Sequence, residues 1–177
     1  MPKNVKHYLL TAIILGGIAA VSGAAIGLTY FVTKDQIAIN AANRIKKGLA
    51  EIYPDAEFSD GVAIDGDDKY LDYYYEAKKE DNLLGYIFQV TGSNSYGKVS
   101  MLVGISTSFD IGHLYLVTNE QTYAQTLVDN FVTPYNKDLI GMSDADVKCG
   151  ATYGGKLVRE MAQEAQSWAS NNLKGGQ

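Results

Sequence analysis

The chain begins with a long apolar segment and continues as a mixed sequence with shorter hydrophobic runs. Residues 8–33 form a stretch of 26 positions without a charged side chain. As an α-helix rising about 1.5 Å per residue, this stretch is about 39 Å long, which is enough to cross a lipid bilayer with some tilt. Tyr8 marks one end and Tyr30 with Phe31 the other, as is typical of aromatic side chains at a membrane interface. The pattern predicts one N-terminal transmembrane helix.

A second helical pattern follows the apolar segment directly. Between Asp35 and Tyr53, apolar residues recur every three or four positions, which favours a helix with one buried face. Pro54 ends the pattern, because a proline cannot continue a helix. The predicted organisation has three parts: a cytoplasmic stub with the transmembrane helix (1–33), a juxtamembrane helix (34–57) and an outer domain (58–177).

The outer domain shows the pattern of a sheet followed by helices. Four runs rich in Tyr, Val, Ile and Phe are separated by turn residues and predict antiparallel strands at 70–77, 86–91, 99–106 and 113–117. A short strand inside turns is expected between Phe58 and Lys69. Residues 123–131 are predicted to be helical, and residues 153–171 carry one apolar stripe that predicts the last helix. The fold class is therefore α+β: one transmembrane helix, then a single antiparallel-sheet domain with packed helices.

Charge and cysteine content exclude several function classes. The chain has a formal net charge of −5, and because only Lys3 and Lys6 precede residue 34, the rest carries −7. Nucleic acid is not an expected partner, because phosphate binding needs a basic face. A single cysteine, Cys149, excludes an internal disulfide, and no Cys or His spacing suits a metal.

The charges also predict orientation. Lys3 and Lys6 precede the span, whereas Lys34 and Asp35 after it cancel, so the N-terminus is expected in the cytoplasm and the large domain outside the cell membrane. A cleaved signal peptide is the competing interpretation, but the apolar residues continue for seven positions past a possible cleavage site at residues 21–25.

Within the predicted transmembrane helix, glycines leave one face without large side chains. Gly23 and Gly27 fit the small-xxx-small spacing that allows a second helix to approach closely. The other interpretation is that glycine is simply common in membrane spans.

Candidate chemistry lies just before the last helix. Thr152 stands where that helix is predicted to begin, and the ordinary role of such a residue is to cap free backbone N–H groups. The same N–H groups and the helix dipole also favour a phosphate there. Gly150, Ala151 and Gly154 keep bulky side chains away. Thirteen tyrosines could stack on an aromatic ligand, although tyrosine is also a common strand former with a polar tip.

The segment from Asp146 to Thr152 resembles the Asp-x-x-Ser/Thr-Gly-Ala-Thr motif of a family of FMN-binding domains. These occur in the G subunit of Rnf-type complexes and the C subunit of sodium-pumping NADH:quinone reductases. In that family a flavin transferase links the FMN phosphate to the last threonine of the motif, which corresponds to Thr152. Cys149 replaces Ser/Thr here, and Gly154 replaces a frequent Ser/Thr after the modified residue.

Further segments resemble the family in the same order along the chain: the single span, Gly85-Tyr86-Ile87-Phe88, Ser95-Tyr96-Gly97-Lys98-Val99 and Val103-Gly104-Ile105. One loop departs from it. Where the family commonly has His-x-Glu-Thr-Pro-Gly near the flavin, this chain reads Asn119-Glu120-Gln121-Thr122-Tyr123-Ala124. The resemblance therefore gives the expected cofactor-binding residues as Thr152, Cys149, Gly150, Ala151, Tyr153, Gly154, Asp146, Asn119, Gln121 and Thr122.

The resemblance implies an electron-transfer subunit rather than a catalyst alone. It would carry covalent FMN in an Rnf-like complex that couples electron flow between ferredoxin and NAD to ion movement. The implied partners are a membrane subunit with its own flavin, iron–sulfur subunits and, during maturation, the flavin transferase. The alternatives are the equivalent subunit of a sodium-pumping quinone reductase, a free-standing extracellular flavoprotein, or a structural subunit that has lost its flavin.

Overall fold

The computed structural model describes residues 3–66, 68–138 and 148–173. The chain divides into two units, residues 1–43 and residues 44–177, each with its own set of internal contacts.

Helix α1 (Lys3–Ile52) supplies the first unit and the beginning of the second. The predicted transmembrane and juxtamembrane helices are therefore one uninterrupted helix, which ends two residues before Pro54. Within the described residues, one helix, Val5–Ile52, is long enough to cross a membrane and contains an apolar 18-residue window with a mean hydropathy of 2.2. The large apolar side chains of this helix that lie before residue 40 are exposed, for example Val32 at 75%. A lipid environment removes the cost of exposing them to water.

The second unit is built around a six-stranded antiparallel sheet in the described residues. The strands pair in the order β1-β3-β4-β5-β6, and β2 also pairs with β3. The elements after α1 are β1 (Glu57–Phe58), β2 (Val62–Ala63), β3 (Leu71–Lys79), β4 (Asn82–Asn94), β5 (Gly97–Ser106), β6 (Ile111–Asn119), α2 (Ala124–Leu127), α3 (Thr133–Asp138) and α4 (Thr152–Asn172). This architecture confirms the predicted α+β class.

Both faces of the sheet are covered, because successive side chains of a strand point to opposite sides. On β4, Phe88 packs in the larger core cluster with α4, while its neighbour Ile87 packs with Leu49 from the end of α1. Ile87 and Phe88 are fully buried. Burying a side chain of this size stabilises the fold by about 1.5–3 kcal/mol, so β4 anchors both layers.

The helix predicted at residues 123–131 is shorter and less regular than expected. Only Ala124–Leu127 is α-helical, and a π-helical turn at Val128–Val132 connects it to α3. The turn buries Phe131 and Val132 against the core, so tertiary packing rather than helical periodicity decides the local backbone. The last helix agrees with its prediction to within one residue at each end, and its buried stripe includes Leu157, Val158 and Met161.

Candidate functional site

The first turn of α4 presents free backbone donors. Gly150 has φ +79°, a left-handed conformation that suits glycine, and Ala151 is the N-cap residue of the helix. The first main-chain bond of the helix runs from the Gly155 N–H to the Ala151 carbonyl at 2.9 Å. The N–H groups of Thr152, Tyr153 and Gly154 therefore precede the helical ladder, and the helix dipole favours an anion beside them.

The capping role considered for Thr152 is wrong. Thr152 is the first residue inside the helix, Ala151 stands at the cap position, and no side-chain cap hydrogen bond is present in the described residues. Thr152 is exposed. Its hydroxyl is thus available at the surface rather than committed to the helix start.

Thr152 lines a cleft of about 260 Å³. The other lining residues are Tyr96, Gln121, Tyr123, Gly150, Ala151, Tyr153 and Gly154. They come from three places: the β4–β5 turn, the loop after β6, and the start of α4. The cleft therefore brings together six of the ten residues expected to bind the cofactor.

Aromatic rings form the walls of the cleft. Tyr96 and Tyr153 stack with their ring centroids 5.0 Å apart and their planes inclined by 22°. Tyr123 and Tyr153 are 57% and 63% exposed, which is high for such large apolar rings. Tyr96 and Tyr123 are not among the residues that the resemblance predicts to bind the cofactor. Both tyrosines lie outside the predicted strands, so strand propensity does not explain them. This was the signal in the sequence that could have identified them as candidate ligand contacts.

The loop that departs from the family pattern is held by its own hydrogen bonds. Gln121 is buried, and its Nε2 donates to Asn94 Oδ1 at 3.1 Å and to the Gly97 carbonyl. Asn119 Oδ1 accepts from the Gln121 N–H at 3.2 Å, and Asn119 Nδ2 donates to the Ala124 carbonyl at 3.1 Å. The loop is thus a defined wall of the cleft, with Asn119 behind it.

Thr122 helps to hold the loop in place, and Gly154 lies against Gln121. The Thr122 N–H donates to the Tyr96 carbonyl at 2.9 Å, which ties the loop to the β4–β5 turn. A Cβ atom added to Gly154 would lie 3.3 Å from Gln121 Oε1 and 3.1 Å from a Leu127 methyl group. Two departures from the family pattern, Gln121 and Gly154, are therefore neighbours in space, and the small residue accommodates the amide.

Comparison with known proteins agrees with the resemblance. Residues 1–52 match the family model described as the RnfG N-terminal region. A relative from Methanosarcina acetivorans, the G subunit of an ion-translocating oxidoreductase complex, is 29% identical over 111 residues, which is 60% of this chain. The chain is thus similar to RnfG proteins. The aligned part spans 57% of the length of that relative.

Three of the described residues that were expected to bind the cofactor, Asn119, Thr122 and Cys149, are not among the residues that line the cleft. Cys149 is buried, and its sulfur faces Gly155, where an added Cβ would lie 3.2 Å from Sγ. It is a packing residue in the core cluster that also contains Phe131. Asp146 lies outside the described residues. The cleft lining in the described part of the chain carries no ionic side chain, so hydroxyls, one buried amide and the helix N–H groups supply its polarity.

Proposed function

We propose that this protein is a membrane-anchored electron-transfer subunit that carries FMN as a phosphoester on Thr152. The observation that carries the proposal is the position of Thr152. It is exposed, it stands in the first turn of a 21-residue helix, and it lines the aromatic cleft. An attached phosphate would lie beside the N–H groups of that turn, and an attached flavin would have aromatic walls within reach.

The residues around Thr152 fit such a group. The left-handed Gly150 and the small Ala151 precede the hydroxyl, so no bulky side chain crowds it from the N-terminal side. Tyr123 and Tyr153 offer exposed rings for contact with a planar ring system. Gln121, fixed by Asn94, offers an amide at the cleft wall.

Attachment replaces the hydroxyl proton of Thr152 by phosphorus. A bond would form between Thr152 Oγ1 and the flavin-side phosphorus of a flavin dinucleotide donor. The bond from that phosphorus to the bridging oxygen of the diphosphate would break, and a nucleoside monophosphate would leave. The hydroxyl proton passes to solvent or to the transferase. No electrons are exchanged in this step, and the chain gains the mass of FMN less one water. A covalent bond keeps the site occupied outside the cell, where a dissociated flavin would be lost.

The bound flavin would supply one- and two-electron chemistry, and the protein residues would hold and orient it. Thr152 would fix one end of the group, and the rings of Tyr96, Tyr123 and Tyr153 would limit its access to water. The cleft lining within the described residues holds no carboxylate, imidazole or amine. A relay of electrons needs no general acid or base from the protein, so this composition suits it.

We propose that this chain is part of a larger complex, because its relative from Methanosarcina acetivorans is named as a subunit of an ion-translocating oxidoreductase complex. Its partners would be the flavin-bearing membrane subunit and the iron–sulfur subunits of an Rnf-like complex. Purification of the tagged chain in mild detergent, followed by identification of the proteins that accompany it, tests this. Recovery of quinone reductase subunits, or of the chain alone, would contradict the Rnf-like assignment.

Intact mass spectrometry tests the attachment itself. The wild-type chain, produced with its transferase, is expected to carry the added mass, and Thr152→Ala is expected to lack it. Thr152→Ser retains a hydroxyl and should be partly modified. Thr133→Ala, an exposed threonine on α3, is the matched control and should be modified fully. An unmodified wild-type chain, or an adduct that persists in Thr152→Ala, would support a structural subunit without flavin on this residue.

A further inference from the structure

Two asparagine side chains hold the backbone on either side of Thr152. Asn130 Nδ2 donates to the Cys149 carbonyl at 3.0 Å, and Asn94 Nδ2 donates to the Tyr153 carbonyl at 3.1 Å. Asn130 lies in the π-helical turn and Asn94 at the end of β4. The two bonds thus connect residues 149–153, here named the attachment segment, to two separate parts of the domain.

The side-chain oxygen of Asn94 accepts two further hydrogen bonds, which fix the amide in place. Its Oδ1 accepts from the Tyr96 N–H at 2.8 Å and from Gln121 Nε2 at 3.1 Å. One half-buried amide therefore joins the β4–β5 turn, the loop after β6 and the first turn of α4. These are the three chain regions that form the cleft.

The attachment segment needs such outside support. Gly150 is left-handed, Ala151 has φ −122° and ψ 49°, and the helix start has no side-chain cap in the described residues. A segment of this kind gains little order from local preferences, because alanine is a poor N-cap and glycine costs more entropy to fix than other residues. The two amide bonds, each contributing about 0.5–1.5 kcal/mol in typical cases, supply part of that order.

We propose that Asn94 and Asn130 are positioning residues that hold the attachment segment so that the Thr152 hydroxyl is presented at the mouth of the cleft. The consequence for flavin attachment rests on the proposed function, whereas the ordering of the segment does not. An amide is required because each carbonyl needs a donor, and a carboxylate offers only acceptors. A carboxylic acid, when protonated, donates again.

The test uses the full chain in detergent micelles with Asn94→Asp, Asn130→Asp and the corresponding leucine variants. Asn172→Asp is the matched control, because Asn172 Nδ2 donates to the Trp168 carbonyl at 2.9 Å at the other end of α4. Amide hydrogen exchange of residues 150–155 is compared with wild type at the same pH. At neutral pH the aspartate variants should exchange there up to about tenfold faster, and the control should match wild type.

Lowering the pH through the ordinary pKa of aspartate, about 4, should bring the aspartate variants back toward wild type. The leucine variants, which lack a donor at every pH, should not recover. A role in general packing predicts no such difference between aspartate and leucine. Unchanged exchange in the aspartate variants at neutral pH, or equal recovery of the leucine variants, would overturn the proposal.

Flavin attachment is the second measurement. With transferase and a flavin dinucleotide at saturating concentration, the initial rate of attachment should fall in Asn94→Asp and Asn130→Asp and stay at the wild-type level in Asn172→Asp. Attachment at the wild-type rate in both aspartate variants would overturn the positioning role. If the wild-type chain accepts no flavin, the proposed function fails, while the exchange measurements still decide whether the two asparagines order the segment.

Discussion

Tyr96 and Tyr153 stack at the mouth of the cleft, with their ring centroids 5.0 Å apart, although they are far apart along the chain. The Asn94 side chain supports the contact from behind, because it bonds both the Tyr96 N–H and the Tyr153 carbonyl. The β4–β5 turn and the first turn of α4 therefore meet through rings and through one amide. The contact brings the proposed attachment residue beside an aromatic wall.

The stacked pair should be energetically coupled. Tyr96→Ala, Tyr153→Ala and the double variant are expected to show a coupling free energy of about 0.5–1.5 kcal/mol in urea unfolding. Trp168, the single tryptophan, packs against the core and reports unfolding by its fluorescence. Tyr73→Ala, at an exposed strand position, is the control and should couple to Tyr153→Ala by less than about 0.5 kcal/mol. Coupling of equal size in both pairs would show that the stacking of Tyr96 on Tyr153 adds no specific stabilising interaction.

Gly97 should not tolerate a side chain. Its φ is +136°, and a Cβ atom there would overlap the Glu120 carbonyl oxygen, which belongs to the backbone and cannot rotate away. We expect Gly97→Ala to lower the free energy of unfolding by at least about 2 kcal/mol. Gly112→Ala, where the nearest atom lies 3.8 Å from the added Cβ, should change it by less than about 1 kcal/mol. A neutral Gly97→Ala would mean that the loop after β6 moves easily.

His113 should make the outer domain less stable in mild acid. Burial lowers the pKa of His113 below its usual value near 6.5, and the nearby Glu51 only partly opposes this. A lowered pKa means that the unfolded chain binds the proton more readily. The contribution to stability is therefore complete above about pH 6.5 and is lost as the pH falls through the lower pKa of the folded state.

Urea unfolding at several pH values between about 7.5 and 5 checks this for wild type and His113→Gln. Because glutamine does not titrate, the variant should lose less stability than wild type across that interval. Parallel pH dependence in the two proteins would contradict the prediction.

The orientation of the chain can be tested by labelling. Ser59 is exposed in the outer domain, whereas the natural thiol, Cys149, is buried. In a Cys149→Ser background, Ser59→Cys should react with a membrane-impermeant maleimide in intact cells. Reaction that occurs only after lysis would place the domain in the cytoplasm, and would also remove the reason for a covalent flavin.

We expect Gly23 and Gly27 to affect the contact of the transmembrane helix with a partner subunit and not the fold of this chain. An added Cβ at Gly23 or Gly27 meets nothing within 4 Å in the described residues, so larger side chains there disturb no contact within the chain. We expect the double variant Gly23→Leu and Gly27→Leu to insert normally and to recover fewer partner subunits. The control double variant, Ala25→Leu and Thr29→Leu, lies on the opposite side of the helix and should co-purify as wild type does. Equal recovery of partners with both double variants would make the span an anchor only.

Much of the fold follows from local pattern. The uncharged run at residues 8–33, the stop at Pro54, the strand runs rich in Tyr, Val, Ile and Phe, and the apolar stripe of α4 each carry their signal within a short window, because composition and helical periodicity are local properties. The irregular turn at Val128–Val132 does not, since its backbone follows the burial of Phe131 against the core.

The candidate site divides in the same way. A threonine between glycines at a predicted helix start was visible in the sequence, and the family resemblance singled it out. The sequence did not show which residue is the N-cap of the helix. Because Ala151 holds that position, the Thr152 side chain is free, and a shift of one residue would have reversed this. The roles of Asn94, Tyr96, Tyr123 and Asn130 also emerged only from the tertiary structure. Each contributes through residues far away in the chain, and sequence spacing carries no information on contacts that chain folding brings together.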